Sequence, residues 1–565
     1  MVRHSTLGFL LSLGIALSIM IPSSNVYAQL DIFENKKKKK PPARRGMTFG
    51  TFTMGGSSAG KKYLRQGERL YERKNYAAAS LKYFHAIKKL GFDKKKQTAQ
   101  FRLAISLYQL GLLYPALHYF NQIIKEGNKS HLFRLSLSWA LAISRKLKND
   151  RPFLSKLRRF KRSDVPARFK SEFFYRLGRF YFMNSRDNSE LLQKALDLLS
   201  KVPRQNRPYY ARAQYIIGVS MDLNKQINDS AKAFRRSVKA ALQIKNTKIR
   251  QNIFELGVLA LARIHYGAKH FKDAVRYYQW IPRSSKRWLD SLFEMSYANM
   301  RRGQYGLSLG LLHTLDSPYY KNEYYPEKEI IRALSFFSRC RHKKVRKLTK
   351  SFRREYKPLI RKLKAFLKRY RTPKNLYKKI HTIKGQPQDD VAGLDNDRSG
   401  KRFQLILMKI AFKDKPLQKM FAYISELNKE LDTIQRSSAV WRSSSLGMAM
   451  KRKVLKERAN MIVTAGKRAK KRLRAALSHL KKLMSQSIRI QFENSRAEGE
   501  LLKKSAQQGG GGFQIKIRGQ KKKKTNRTFS VSLHEDFVFW PFQGEYWVDE
   551  LGYYRYRIRG ECRKK

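Results

Sequence analysis

An all-α chain is what the sequence predicts: a solenoid of helical hairpins over 61–360, a basic helical hairpin or coiled coil over 401–508, and a small aromatic, β-containing tail over 509–565. Three observations predict it. Small and bulky residues recur along 61–360 at spacings mostly of 34 to 44 residues, seven-residue apolar stripes run through 401–508, and the last segment alternates apolar residues and concentrates aromatics. Composition adds a boundary condition. Lys+Arg 123 against Asp+Glu 41 gives a net charge of +82, yet 42% of the 565 residues are hydrophobic and 12% aromatic. That apolar content excludes a wholly disordered basic chain, so the charge lies on the outside of something folded or in tails. A surface this cationic seeks polyanions: nucleic acid, an anionic membrane or lipopolysaccharide surface, or an acidic protein.

The N-terminus narrows that choice. Met1 to Ala28 places Arg3 and His4 before an apolar run from Leu7 to Ile21 and closes on Val26-Tyr27-Ala28. These are the charged, hydrophobic and small-residue zones of a secretory signal cut after Ala28; an uncleaved anchor is the alternative, although a spanning helix needs about 20 apolar residues. No Cys lies near the cut, so lipoprotein attachment has no nucleophile. Export to the periplasm or cell envelope moves acidic envelope proteins and anionic envelope surfaces ahead of nucleic acid. Residues 29–60, with Lys36–Lys40, Pro41-Pro42 and a Gly/Ser/Thr stretch, read as a flexible basic linker.

From Lys61 the pattern becomes densely helical. Gly67, Asn75-Tyr76, Ala79, Tyr83 and Ala86 are matched about 37 residues later by Ala104, Gly111, Ala116, Phe120 and Ile123. Further matches are Gly178 with Ala195 and Leu199, Gly218 with Ser230 and Phe234, Ala262 with Ala274 and Tyr278, and Ser296 with Ser308 and Leu312. A small residue in each helix lets the two approach, and the bulky positions fill the space between them. Degenerate units are expected at Leu132 to Phe160, around Trp139, and at Pro326 to Tyr356, around Cys340. These positions resemble the tetratricopeptide repeat (TPR), a helix-turn-helix unit that buries its faces only when stacked. The resemblance implies a groove lined by the first helix of each unit, here through Tyr71, Phe101, Tyr108, Tyr175, Arg179, Tyr215, Arg263, Tyr266, Phe293 and Tyr297. Tyr and Arg dominate binding hot spots, and an extended acidic peptide suits such a groove.

Residues 361–400 are a basic helix and an acidic loop. Asp395 to Gly400 begins like a calcium loop, but the twelfth position is Ile406 where a bidentate Glu is needed, so it reads as an acidic surface loop. The stripe Phe403, Ile410, Leu417, Ile424 and Leu431 is interrupted at Pro416, which predicts two helices instead of one rod. A second stripe places Leu455, Ile462, Ala469, Ala476, Leu483 and Ile490 alternately with Ala459, Leu473 and Leu480. Intramolecular packing is favoured over an intermolecular coiled coil, and Lys467-Arg468, Lys470-Lys471-Arg472 and Lys481-Lys482 form a cationic face.

Gly509–Gly512 is a joint, Lys521–Lys524 a basic run, and Phe513-x-Ile515-x-Ile517 and Phe529-x-Val531-x-Leu533 alternate as strands. Trp540, Phe542, Tyr546, Trp547, Tyr553 and Tyr554 form an aromatic cluster that either presents a recognition patch or folds back onto the helices. In an oxidising compartment Cys340 and Cys562 can close one disulfide, with two free thiols as the alternative. No Cys/His cluster or C-x-x-C supports metal or thiol-redox chemistry, no cofactor motif is present, and His534-Glu535-Asp536 is isolated. The string from Phe539 to Tyr554 is similar to the C-terminus of exported tetratricopeptide proteins of myxobacteria and related lineages, some assigned to the adventurous gliding-motility machinery. That resemblance implies a non-catalytic envelope scaffold. An envelope glycan enzyme using Glu545 and Asp549 is the alternative, nucleic-acid binding a further one, and homo-oligomerisation is open.

Overall fold

The computed structural model describes residues 58–91, 95–147, 165–185, 188–320, 323–385, 400–507 and 546–558, with single positions 154, 560 and 562. The expected secretion signal, the expected basic linker up to residue 57, most of the acidic loop, both expected strands, and Trp540, Phe542 and Glu545 lie outside the described residues, while Ser58–Gly60 belong to the first helix. Among the described residues there is no strand; the tail over 546–558 is turns and irregular chain, so its described part is not β-structure. No described helix is long and apolar enough to cross a membrane.

The repeat helices are α1 Ser58–Glu72, α2 Tyr76–Lys89, α3 Lys95–Gln109, α4 Leu113–Lys125, α5 Phe133–Lys146, α6 Lys170–Asn184, α7 Ser189–Ser200, α8 Arg207–Leu223, α9 Ile227–Leu242, α10 Thr247–Gly267, α11 Phe271–Gln279, α12 Trp288–Arg301, α13 Tyr305–Thr314 and α14 Lys328–Phe337. After them come α15 His342–Arg369, α16 Pro373–Gly385, α17 Lys401–Phe412, α18 Lys415–Arg436, α19 Ala439–Ser443 and the 63-residue α20 Ser445–Gln507. The chain forms two compact units, interleaved in sequence: residues 1–283 with 363–476, and 284–362 with 477–565. The boundary expected at 360 falls inside α15.

Six of the hairpins are closed by the same corner; after α6 the chain instead passes through Ser185 at φ −90°. Lys74, Gly111, Lys225, Lys269, Gly303 and Cys340 all have positive φ, between 56° and 82°. At each corner the residue that follows donates its N–H to a carbonyl five residues back: Asn75 to Leu70, Leu112 to Leu107, Gln226 to Met221, His270 to His265, Gln304 to Asn299 and Arg341 to Phe336. This is the Schellman motif, which satisfies helix-end carbonyls while reversing the chain. Side-chain caps start the next helices: Asn75 Oδ1 accepts from Ala78 N, Asn188 from Leu191 N and Asn246 from Ile249 N.

The small-and-bulky register packs as the sequence predicts. Ala79, Tyr83, Ala86, Ala104, Ala116, Phe120 and Ile123 have no exposed surface. A Cβ on Gly67 would run into the Tyr83 ring, on Gly218 into Phe234 and on Gly178 into Leu199. Burying each of those large side chains contributes about 1.5–3 kcal/mol. Helices α6, α8 and α10, each first in its hairpin, also touch in series, so each hairpin's exposed side is covered by the next.

In the first unit the chain after 363 packs back on the repeats. Pro416 sits in the first turn of α18, behind an Asp414 cap that accepts from Leu417 N, so the stripe is split as expected. Trp441 is buried, and its Nε1–H donates to Ser80 Oγ of α2 at 2.9 Å. Glu430 Oε1 accepts from the Tyr114 backbone N–H at 3.0 Å, which makes it a remote cap on α4. In α20, Leu455 and Ala459 are exposed while Val454, Met461 and Ala465 are buried. A strict seven-residue count drifts against a 3.6-residue turn, which moves that part of the predicted stripe off the buried side. The basic face is partly turned inward: Arg468 Nε donates to Asp414 Oδ1 at 2.8 Å, Lys470 to the Arg371 carbonyl at 2.7 Å, and Arg472 to the Ile410 carbonyl at 3.2 Å.

Candidate functional site

The ten first-helix residues divide by exposure. Phe101, Tyr175, Arg179 and Tyr215 are buried, so they belong to the packing. Their contacts say the same: Phe101 meets Phe120 edge-on at 5.5 Å, and Tyr215 lies 5.5 Å from Phe234 of the partner helix. Tyr71, Tyr108, Arg263, Tyr266, Phe293 and Tyr297 are half-buried and offer a face to solvent. Three of these are equivalent. Tyr71, Tyr108 and Tyr266 each supply the carbonyl that accepts from the left-handed residue of the corner, Lys74, Gly111 and Lys269 respectively. The shared motif therefore fixes their place at the end of a first helix. Cations lie over two of the rings, Arg102 5.7 Å from the Tyr71 centroid and Lys146 4.4 Å from that of Tyr108. A tyrosine with a cation beside it presents apolar area, a hydroxyl and positive potential together, which suits an acidic segment.

The second unit holds an extended segment already: its own tail. Gly306 and Gly310, one turn apart on α13, leave its surface bare. The Tyr556 N–H donates to the Gly306 carbonyl at 3.1 Å, and a Cβ on Gly310 would run into the Tyr554 carbonyl. Only glycine admits a second backbone at that distance. Further along, His313 is enclosed by tyrosines, with Tyr546 stacked at 4.5 Å, Tyr554 edge-on at 4.9 Å and Tyr556 at 5.7 Å. The hydroxyls of Tyr546 and Tyr556 each lie 3.3 Å from His313 Nδ1. Burial holds the His313 imidazole below its ordinary pKa and pushes the Tyr546 phenol up to about 12, Asp316 adding to the latter. The Gly552 N–H donates to Thr314 Oγ1 at 2.9 Å, Leu551 is 1% exposed, and Cys340–Cys562 form a disulfide that ties the tail to the corner after α14.

Of the aromatic tail residues, Tyr546 and Tyr554 thus fold back, whereas Tyr553 is 81% exposed and Trp547 half-exposed. Asp549 and Glu550 are exposed in a turn. The tail runs along α13, the second helix of its hairpin, and at Gly552 also lies against Trp288 and Leu292 of the first helix α12, which are not among the first-helix residues named from the sequence. Sequence reading missed Gly306, Gly310 and His313, although two glycines four residues apart in an apolar helix are a sign of close approach.

The fold is an all-helical array of stacked hairpins. No protein-family model matches the sequence, and no curated protein matches it. Among solved structures, a thermophilic TPR protein of Thermus thermophilus aligns at 18% identity over 43% of this chain and 100% of its own, with a TM-score of 0.19. A circular tandem repeat protein with novel repeat topology aligns at 14% identity over 78% of this chain and 99% of its own, with a TM-score of 0.14. TM-scores this low assign no fold, so the architecture stands on the hairpins and corners of this chain itself.

Proposed function

We propose that the chain is a non-catalytic scaffold of TPR type that holds extended protein segments on its repeat helices. The observation that carries this is the row of half-buried tyrosines, Tyr71, Tyr108 and Tyr266, set by one shared motif at equivalent ends of three first helices. Residues that merely filled the core would be covered, as Tyr175 and Tyr215 are. The adjoining Arg102, Lys146 and Arg263, on a chain of net charge +82, favour an acidic segment as the occupant. The candidate signal at Met1 to Ala28 supports placing this scaffold in the periplasm or cell envelope, near anionic envelope components and within an assembly or motility complex.

A photo-crosslinking amino acid placed at Tyr71, Tyr108 or Tyr266 in the full chain, in cells, tests this. Covalent capture of a protein segment from these positions, with little from exposed sites such as Lys232 or Lys272 on second helices, is the expected outcome. Equal capture from both sets removes the proposal. Fractionation of the same cells reads the compartment, and recovery in the cytoplasm removes the envelope placement while leaving the binding face.

A further inference from the structure

The corner between α10 and α11 differs chemically from the other five. At each corner the 6→1 hydrogen bond sets two residues five apart side by side, and their side chains meet across it. The pairs are Leu70/Asn75, Leu107/Leu112, Met221/Gln226, Asn299/Gln304 and Phe336/Arg341, but at this corner both are imidazoles, His265 and His270, joined through the His270 N–H and the His265 carbonyl at 2.8 Å. The first turn of α11 then returns Asp273 to the same spot. One ring nitrogen of each histidine and one carboxylate oxygen of Asp273 all lie within 4.8 Å of one another.

Each group is suited to a ligand's role. His265 is braced by stacking on Tyr277, with centroids 5.1 Å apart and planes 26° from parallel. Its Nε2 is shielded from solvent and has no hydrogen-bond partner among the described residues, which is a costly state for a ring nitrogen unless something else occupies it. His270 is exposed and, although it is the residue that starts α11, its side chain makes no capping bond. Asp273 is only loosely engaged, 3.9 Å from Arg276.

We infer that His265, His270 and Asp273 form a binding site for one first-row divalent transition ion, with water completing the coordination. Two imidazoles and a carboxylate are a ligand set that zinc accepts, and imidazole suits copper and nickel as well. Zinc–ligand bonds of about 2.0–2.2 Å place tetrahedral ligands roughly 3.5 Å apart, so the three groups close by about 1 Å, a movement within reach of the exposed His270 side chain. Arg235 acts on His265, Arg276 lies 3.9 Å from Asp273, and Lys269 and Lys272 flank the ligands in sequence, so the local charge opposes a dication. Affinity is therefore weaker than that of closed structural sites. A bound ion would clamp the hairpin corner and stabilise the folded chain in proportion to its occupancy.

Calorimetric titration of Zn2+ into the chelator-treated full-length protein, disulfide intact, is expected to show a saturable step at about one ion per chain. The His265→Ala/His270→Ala variant loses that step, with affinity falling by roughly tenfold or more, and Asp273→Asn weakens it less. Because His265 packs on Tyr277, the exposed His270→Ala alone is the second variant, and it too must weaken the step. Co2+ gives an independent readout, since its visible absorption reports imidazole and carboxylate ligation in the wild type and vanishes in the double variant. Absence of a step in the wild type, or an unchanged step in His270→Ala and in the double variant, overturns the assignment.

Discussion

The two compact units cover their repeat helices in different ways. In the first, helices do it: Trp441 is buried with its indole N–H on Ser80, and Glu430 caps α4 through the Tyr114 N–H. In the second, α20 packs on α15, with His342 Nδ1 3.0 Å from Asn494 Oδ1, but α13 is covered by an extended tail, through main-chain contacts at Gly306 and Gly310, a ring of tyrosines around His313 and one disulfide. The difference lies in what each attachment costs to undo. A helical cover buries whole side chains and comes away only with loss of core. A tail held by backbone contacts can leave while the helix beneath it stays folded.

The helical cover should therefore break at a large and global cost. Trp441 is among the largest fully buried side chains, so Trp441→Ala is expected to destabilise the first unit by about 3–5 kcal/mol in urea unfolding. A loss under about 1 kcal/mol would mean that the cover is not part of the core.

Acidity sharpens the same attachment. Burial pushes the Glu430 carboxyl up to about 8, with Glu426 adding and the Tyr114 and Leu113 N–H groups opposing. Tyr114, Tyr423 and Glu457 are linked beside it: the Tyr423 hydroxyl donates to Glu457 Oε1 at 3.1 Å and the Tyr114 hydroxyl to Oε2 at 3.4 Å. Burial raises both phenols, and Glu457 adds to each. The folded state keeps the Glu430 proton after the unfolded chain has released it near 4.5. Folded chains then bind more protons, so stability falls as pH rises from about 4.5 to about 8. Glu430→Gln keeps an acceptor for Tyr114 and cannot ionise; it should remove that slope and exceed the wild type by a few kcal/mol at pH 9. An unchanged slope in the variant would place the titration elsewhere.

The tail should break locally. A Cβ at Gly310 collides with the Tyr554 carbonyl, yet alanine favours the helix itself by about 1 kcal/mol. Gly310→Ala is expected to leave α13 folded while hydrogen exchange at Tyr556 and Gly552 rises roughly tenfold or more, most clearly when Cys340→Ser/Cys562→Ser removes the tether. Exchange that accelerates equally across α13 would show tail and helix to be one cooperative piece.

Legibility in the sequence follows the range of the interactions. The hairpins can be read because Ala79 against Tyr83, or Gly218 against Phe234, is a local pattern that repeats, and Pro416 marks its helix start on its own. Long-range covers cannot. Nothing local in Ser437 to Ser445 announces that Trp441 fits beside Ser80, and the exposed Leu455 and buried Val454 differ only by one step of helical phase. The first-helix residues are half legible: spacing puts Tyr175 and Tyr71 in one class, and only packing separates them. His265 and His270 do not read as a pair because five residues is no helical repeat; it becomes a contact distance only once a left-handed corner lies between them.

That corner also supplies the smallest test. Gly111 and Gly303 occupy the left-handed position without steric cost, whereas Lys74, Lys225 and Lys269 hold the same conformation with a Cβ. The native strain at each lysine is on the order of 1 kcal/mol, and glycine relieves it while making the unfolded chain more flexible, which offsets part of the gain. Lys225→Gly should therefore stabilise by a few tenths to about 1 kcal/mol, and Gly111→Ala, with nothing within 4 Å of its added Cβ, should destabilise by a similar amount through φ alone. Opposite signs for the two, measured in one urea series, identify backbone handedness as the shared determinant of the corners. If Lys225→Gly instead destabilises, the lysine side chain contributes more at that corner than its strain removes, and the six corners are alike in geometry but not in energetics.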